Sequence, residues 1–467
     1  MDISRDRAAR QRALGAVIGS AVGDALGAPF EFGPAGEYSR RFPQPVLGGI
    51  GEMVGGGGYS WAPGEFTDDT QMAVVQAESL LDRGGVDGAD LFERFGTWAR
   101  DASDVGVQTR SVLNSAAGWE TAAAAHYERN PRGAAGNGSL MRSTPTAVHY
   151  ATATIAETVD AARATSAVTH GDPAAGWGTA LFHLMVGAAV RGEDHEAALA
   201  EGLKMLPADQ DRYRRMLAPS WQPESAEVGN GSVWGCLASA VWAVRGSSTF
   251  AEAVTAAIDL GDDTDTVAAV TGGLAGAIYG IQSIPSRWTT YLHGHVSTPD
   301  GPRTWRLADL QDLTLRLIGA DPVPAQEPGL PLGPTEIAPG IHAADLAGAA
   351  TVPEDWAVIS LCRVGDTFAH HPVRRAVYLI DKEGDHNIGL GHVVADAVAT
   401  LDAFRAEGRQ VVVHCHGGAS RTGLVLRAWL MGTNGWDEAT ATDHLRERWP
   451  HLGEWNASFS GFLSARS

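Results

Sequence analysis

Residues 14–27 read Leu14-Gly15-Ala16-Val17-Ile18-Gly19-Ser20-Ala21-Val22-Gly23-Asp24-Ala25-Leu26-Gly27. Gly15, Gly19, Gly23 and Gly27 recur every four residues, so one face of a helix is reduced to bare backbone that a second backbone can approach closely. Arg5, Arg7, Arg10 and Arg12 precede the apolar run, which gives it the proportions of a secretory signal. Asp24 breaks the run, and the stretch Ala13 to Gly23 is too short and too weakly apolar to span a bilayer. The expectation is a core helix with no membrane role.

Working outward, residues 5–318 are patterned as helices separated by glycine-rich or polar breaks. Alanine-rich runs at Gln71–Leu81, Ile155–Ala167, Gly176–Val190 and Phe250–Asp259 carry the helical signal. The breaks hold the unusual residues: Gly48–Gly58 leads to Thr67-Asp68-Asp69, and Gly133–Gly138 leads to Ser139. Between Gly319 and Pro339 six prolines interrupt any helix or central strand. Beyond them short β-branched runs, Trp356–Leu361, Ala376–Ile380 and Gln410–Val413, alternate with helical stretches, Val393–Ala406 and Thr422–Met431. That alternation predicts a small α/β domain with a largely parallel sheet. The expected organisation is an all-α domain over 1–318, a proline-rich linker over 319–335 and the α/β domain over 336–467.

A net charge of -20 repels a phosphate backbone, which argues against nucleic acid as a partner without excluding it as a carrier of the substrate group. An acidic chain acting on anionic substrates needs metal ions or helix N-termini at its sites. The three cysteines, Cys236, Cys362 and Cys415, are odd in number and far apart, which points to a reducing compartment and a cytoplasmic protein.

Two acidic clusters each stand directly before a helical run. Thr67-Asp68-Asp69-Thr70 reads most simply as an acidic helix start. In Gly261-Asp262-Asp263-Thr264-Asp265-Thr266 the acids repel one another more than a helix dipole compensates, at about 0.3–1 kcal/mol per charge. A hard divalent cation compensates better, and no nearby histidine or cysteine points to zinc. An EF-hand loop fails, because Ala268 stands where its glycine belongs and Leu274 where its terminal acid belongs. Two such helix starts suit a shared pair of metal ions.

Five ordered pieces carry a resemblance: Gly23-Asp24-Ala25-Leu26-Gly27 with Glu31, Phe66-Thr67-Asp68-Asp69-Thr70, Gly136-Asn137-Gly138-Ser139-Leu140-Met141-Arg142, Thr169-His170-Gly171-Asp172-Pro173, and Gly261 to Gly280. Over about residues 10–285 the chain resembles the ADP-ribosylglycohydrolases, the dinitrogenase-reductase-activating glycohydrolases among them. The resemblance implies an all-α fold with two Mg2+ or Mn2+ ions held by Thr67, Asp68, Asp69, Asp263, Asp265 and Thr266. It implies Glu31 as the acid that positions or deprotonates water, Gly136, Asn137, Gly138 and Ser139 as the loop approaching the ADP-ribose phosphates, and His170 as a substrate-site residue. Asp104 is similar in position to an acid that faces arginine in one branch, and a solvated loop acid reads equally well. Arginine, serine and small-molecule acceptors stay open.

Near the C-terminus, Val411-Val412-Val413 reads as a buried strand running into His414-Cys415-His416-Gly417-Gly418-Ala419-Ser420-Arg421-Thr422 and a helix. Backbone N–H groups and the helix dipole then converge inside the loop, which favours an anion and a thiolate. Arg421 supplies a fork for phosphoryl oxygens. Over about residues 335–460 the chain resembles the dual-specificity branch of the protein tyrosine phosphatases. This implies Cys415 as nucleophile, the 416–420 backbone as phosphate cradle, Thr422 as the sulfur's hydrogen-bond donor, and an aspartate as general acid. Asp385 is the first choice and Asp381 its competitor. Cys362 reads as a core thiol.

The expected protein is a bifunctional hydrolase that cleaves an ADP-ribosyl bond on a modified protein or small molecule and hydrolyses a phosphorylated substrate. The competing expectation is a module that binds ADP-ribose or phosphate with only one active domain.

Overall fold

The computed structural model describes residues 2–299, 301–322, 329–384 and 386–466. The chain divides into two compact units, one of Met1–Gln44, Met53–Ile284 and Tyr291–Pro322, the other of Pro45–Glu52, Pro285–Thr290 and Val323–Ser467. No composition shift marks the two short early segments that the second unit takes in.

The first unit is helical, and its centre is the antiparallel pair of helices Arg7–Gly27 and Thr264–Tyr279. A Cβ added at Gly15, Gly19, Gly23 or Gly27 would stand 2.2, 2.4, 2.0 or 2.6 Å from the carbonyl oxygens of Gly276, Gly272, Ala268 and Thr264. The glycine stripe therefore lies directly against a second backbone, in steps of four residues on both helices. The first helix is longer than its apolar run, 21 residues, and together with Pro173–Arg191 it is long and apolar enough to cross a membrane by length and composition. That differs from the sequence reading of a segment too short to span; both helices are mostly buried within the unit.

Local signals set the helix ends. Asp172 caps Pro173–Arg191, proline opens it, and Gly192 closes it in the left-handed conformation. Thr154 and Glu157 form a capping box on Ile155–Ala167. An antiparallel hairpin, β1 (His293–Thr298) and β2 (Gly301–Arg306), adds the unit's one departure from helical structure among the named elements.

The second unit holds a five-stranded sheet of β3 (Thr335–Ala338), β4 (Ile341–Ala344), β5 (Ala357–Ser360), β6 (Arg374–Ala376) and β7 (Val411–His414) in the order β3-β4-β7-β5-β6. β3 and β4 are antiparallel and the remaining pairs are parallel. β7 is central and fully buried, so the residues after it emerge from the middle of the sheet. The strand expected over Ala376–Ile380 lies instead at Arg374–Ala376. The ladder ends where the Val377 amide donates to Ser360, the last residue of β5; beyond it the Asn387 side chain takes both the amide and the carbonyl of Ile380, each at 3.0 Å.

Candidate functional site

In the first unit the site is assembled at helix starts. Thr67 is the N-cap of the helix Asp68–Arg83. Its amide donates to the Asp24 carboxylate at 2.9 and 3.1 Å, and the Thr70 amide and hydroxyl donate to the same carboxylate at 3.0 and 2.5 Å. Asp24 is fully buried. Burial pushes its pKa up to about 6 against the lowering effect of these hydrogen bonds. A carboxylate from another helix thus caps this one, so Asp68 and Asp69 are not required as caps.

The helix pair built on the glycine stripe brings the second cluster alongside. Glu31, Asp263 and Asp265 place carboxylate oxygens within 4.8 Å of one another. Thr266 donates its hydroxyl to Asp69 at 3.4 Å, and the Asp69 Oδ2 atom is buried with no hydrogen-bond partner among the described residues. Burial first, then neighbouring acids, hold Asp68, Asp69 and Asp265 well above the usual carboxylate range. Glu31 is raised to about 8 by burial, Asp104, Asp263 and Asp24. An orphaned buried carboxylate oxygen amid mutually repelling acids and hydroxyls is a donor set that fits hard divalent cations.

Glu31 is held there by strained backbone. Phe32 and Asp262 both adopt positive φ, 60° and 56°; the Phe32 amide donates to the Asp262 carbonyl at 2.6 Å, and the Asp262 amide donates to the Gly33 carbonyl at 3.0 Å. Non-glycine residues in this region cost about 1–3 kcal/mol each, strain that surrounding structure must hold. Asp104 stands within electrostatic reach of Glu31 and Asp68 and accepts a hydrogen bond from Tyr59.

The glycine loop meets the acids through Asn137, whose amide donates to Asp263 at 2.9 Å and to the Asn230 carbonyl at 3.2 Å. Asn230 in turn donates to the Gly261 carbonyl at 2.9 Å. The Ser139 hydroxyl is buried and bonded to Ser166 at 2.8 Å, so this residue presents backbone rather than side chain to the loop. His170 lies against Gly136 and Gly138. Tyr59 and Asn230 are parts of this arrangement that motif reading passed over, and Asp24, although quoted in the first motif, was given no role by it. Asp24 alone left a signal, as the one acid interrupting an apolar helix face.

In the second unit, β7 delivers Cys415 to the loop 416–419, and the helix Ser420–Asn434 begins with no side-chain cap. Its free N–H groups therefore face the loop. Gly418, at φ 65°, has the Ala344 oxygen 2.8 Å from where a Cβ would stand, and Trp449 donates to its carbonyl at 2.8 Å. Cys415 is buried, and so is the Thr422 hydroxyl, which has no hydrogen-bond partner among the described residues. Arg421 donates to the Leu361 carbonyl at 3.0 Å and lies 3.5 Å from Asp381. Asp381 also accepts from Ser420 at 2.9 Å and Asn456 at 3.3 Å. Asp385 lies outside the described residues. Cys362 belongs to the core cluster, and burial pushes its thiol up to about 12. His414 is held down to about 3 by burial, with Ser360 2.7 Å from its Nε2.

Known proteins match both regions. The dual specificity phosphatase catalytic domain model matches residues 367–465. The ADP-ribosylarginine hydrolase Tri1 of Pseudomonas putida (strain GB-1) is 34% identical over 295 residues, 60% of this chain and 74% of its own. The ADP-ribosyl-[dinitrogen reductase] glycohydrolase of Rhodospirillum rubrum is 32% identical over 285 residues, 60% of this chain and 90% of its own. A solved ADP-ribosylglycohydrolase-related protein complex superposes with a TM-score of 0.52 at 34% identity, covering 67% of this chain and 98% of its own. With the ADP-ribosylglycohydrolase model matching residues 5–324 across the helical unit and its acidic site, the chain belongs to the ADP-ribosylglycohydrolase family.

Proposed function

We propose that the first unit hydrolyses the N-glycosidic bond between ADP-ribose and an arginine side chain, and that the second hydrolyses a phosphomonoester through Cys415. The observation carrying the first reading is the convergence of Glu31, Asp263 and Asp265 beside the orphaned Asp69 oxygen. Thr67, Asp68, Asp69, Asp263, Asp265 and Thr266 would hold two Mg2+ or Mn2+ ions. Such ions, when bound, lower the pKa of water and polarise sugar hydroxyls. Glu31, whose carboxylate lies within 4.8 Å of those of Asp263 and Asp265, is placed to take a proton from the attacking water. The Gly136–Ser139 backbone receives the diphosphate, where glycine permits close approach.

Asp104 supports arginine as the acceptor. Its carboxyl, which accepts from Tyr59 within electrostatic reach of Glu31, offers oxygen acceptors suited to a guanidinium leaving group. The two Tri1 relatives, from Pseudomonas putida and Serratia proteamaculans, are described as ADP-ribosylarginine hydrolases.

In the second unit the Cys415 sulfur attacks phosphorus, the S–P bond replaces the P–O bond, and an aspartate protonates the departing oxygen; water then releases phosphate. Asp381 is the described candidate for the acid, beside Arg421 and Ser420.

The test is a panel of peptides ADP-ribosylated at arginine or serine, and of ADP-ribosylated nucleic-acid ends, assayed with the full chain in Mg2+ and in Mn2+. Release from arginine is expected. Release from serine alone would overturn the assignment of the acceptor.

A further inference from the structure

Arg142 is fully buried, and its guanidinium is divided among four acceptors. Nη1 donates to the Gly138 carbonyl at 2.8 Å, Nη2 to the Thr165 carbonyl at 3.2 Å and the Thr169 hydroxyl at 2.8 Å, and Nε to Gln76 at 3.3 Å. The Phe95 ring lies 4.6 Å from its carbon. The Thr169 hydroxyl also stands 2.8 Å from Nδ1 of His170.

A guanidinium has only donors, so the Thr169 oxygen accepts from Arg142, and the hydroxyl proton is left for His170 Nδ1. Were Nδ1 protonated, two donors would converge on one oxygen and the hydroxyl proton would be buried without a partner, at a cost of about 1–3 kcal/mol. The chain of donation therefore runs from Arg142 through Thr169 to Nδ1, and the ring proton sits on Nε2. Nε2 faces the glycine loop: a Cβ at Gly138 would lie 3.2 Å from it, and one at Gly136 3.6 Å. His170 is 3% exposed, and Nε2 has no hydrogen-bond partner among the described residues.

We propose that Arg142 and Thr169 are positioning residues that lock His170 as a neutral Nε2–H donor aimed at the diphosphate of ADP-ribose on the Gly136–Gly138 loop. This rests on the reading of that loop given under the proposed function. Burial and the Arg142 charge hold His170 well below the ordinary imidazole range, which keeps the ring neutral. One guanidinium thus sets both the loop, through the Gly138 carbonyl, and the donor that faces it.

The experiment is 15N NMR of the histidine rings in the full-length, Mg2+-loaded protein, with the His170 signals assigned by their loss in His170→Gln, alongside calorimetric titration with ADP-ribose. The Nε2–H pattern is expected between about pH 6 and 8 and is expected to persist in Thr169→Ser. In Thr169→Val the pattern is expected to become mixed and ADP-ribose affinity to fall roughly tenfold, which Thr169→Ser avoids. An Nδ1–H or imidazolium pattern in the unmodified protein, or an unchanged pattern in Thr169→Val, overturns the lock. A pattern that changes as expected while affinity does not move overturns the diphosphate reading of the loop and leaves the lock standing.

Discussion

The buried Asp24 carboxylate accepts the Thr67 amide at 2.9 Å, capping from one helix the start of another. Because that start is satisfied from outside, Asp68 and Asp69 are released from capping and turned to the acidic site. Replacing Asp24 with Asn puts an NH2 group where only acceptors fit. A loss of about 1.5–3 kcal/mol in the unfolding free energy of the first unit is expected, with weakened Mn2+ binding by calorimetry. Mn2+ affinity equal to that of the unmodified chain would show that the cap does not position Asp68 and Asp69.

Chelation is expected to separate the two activities. EDTA should abolish release of ADP-ribose, Mg2+ or Mn2+ should restore it, and release of phosphate from an aryl phosphate should be indifferent to both. Asp69→Asn, which alters the carboxylate with the orphaned oxygen, is expected to need far more Mn2+ for half-maximal rate. Full ADP-ribose release in EDTA would end the metal reading.

Cys415→Ser is expected to abolish aryl phosphate hydrolysis while leaving release of ADP-ribose intact, since the nucleophile alone is lost. Asp381→Asn is expected to slow an alkyl phosphate, whose leaving oxygen needs a proton, much more than a nitrophenyl phosphate, whose oxygen does not. Equal slowing of both substrates would remove Asp381 from the role of acid.

Gly23→Val would drive a side chain into the Ala268 carbonyl, 2.0 Å from the ideal Cβ position. Backbone cannot yield as a flexible side chain can, so a loss of at least about 3 kcal/mol is expected, seen as a lowered Tm of the first unit. Gly96→Ala, at a helical position with open space around its Cβ, is the control, expected to leave stability unchanged or raised.

His183 lies fully buried in the helix Pro173–Arg191, and burial holds its pKa down to about 3. The unfolded chain takes up its proton near pH 6.5 and the folded chain does not, so stability falls as pH drops below that value. From pH 6.5 to pH 5 this one ring is expected to cost about 1.6 kcal/mol. His183→Leu is expected to flatten that part of the profile in urea unfolding at the two pH values. An unchanged slope would mean that the ring finds a way to protonate in place.

Much of the fold was legible in local pattern. The stripe Gly15, Gly19, Gly23, Gly27 announced a backbone-to-backbone contact, and the helix Ile155–Ala167 has the bounds its periodicity predicts, because both are written in consecutive residues. The end of the sheet ladder after Val377 was not legible: it depends on where the partner strand β5 ends, at Ser360, and the β propensity of residues 376–380 carries no sign of that.

By itself, the sequence determined two chemistries-bearing regions, the hard oxygen donors at two helix starts and the cysteine loop after a buried strand, because each is a local combination of residue type and helix terminus. It also determined that the first helix must meet another backbone. Only the tertiary structure decided which backbone, and with it that Asp24 caps the Asp68 helix, that Asp104 stands beside Glu31, and that Arg142 reaches Thr169. Those relationships join residues far apart along the chain, and their distances are set by how the helices pack and not by any spacing that a motif can express.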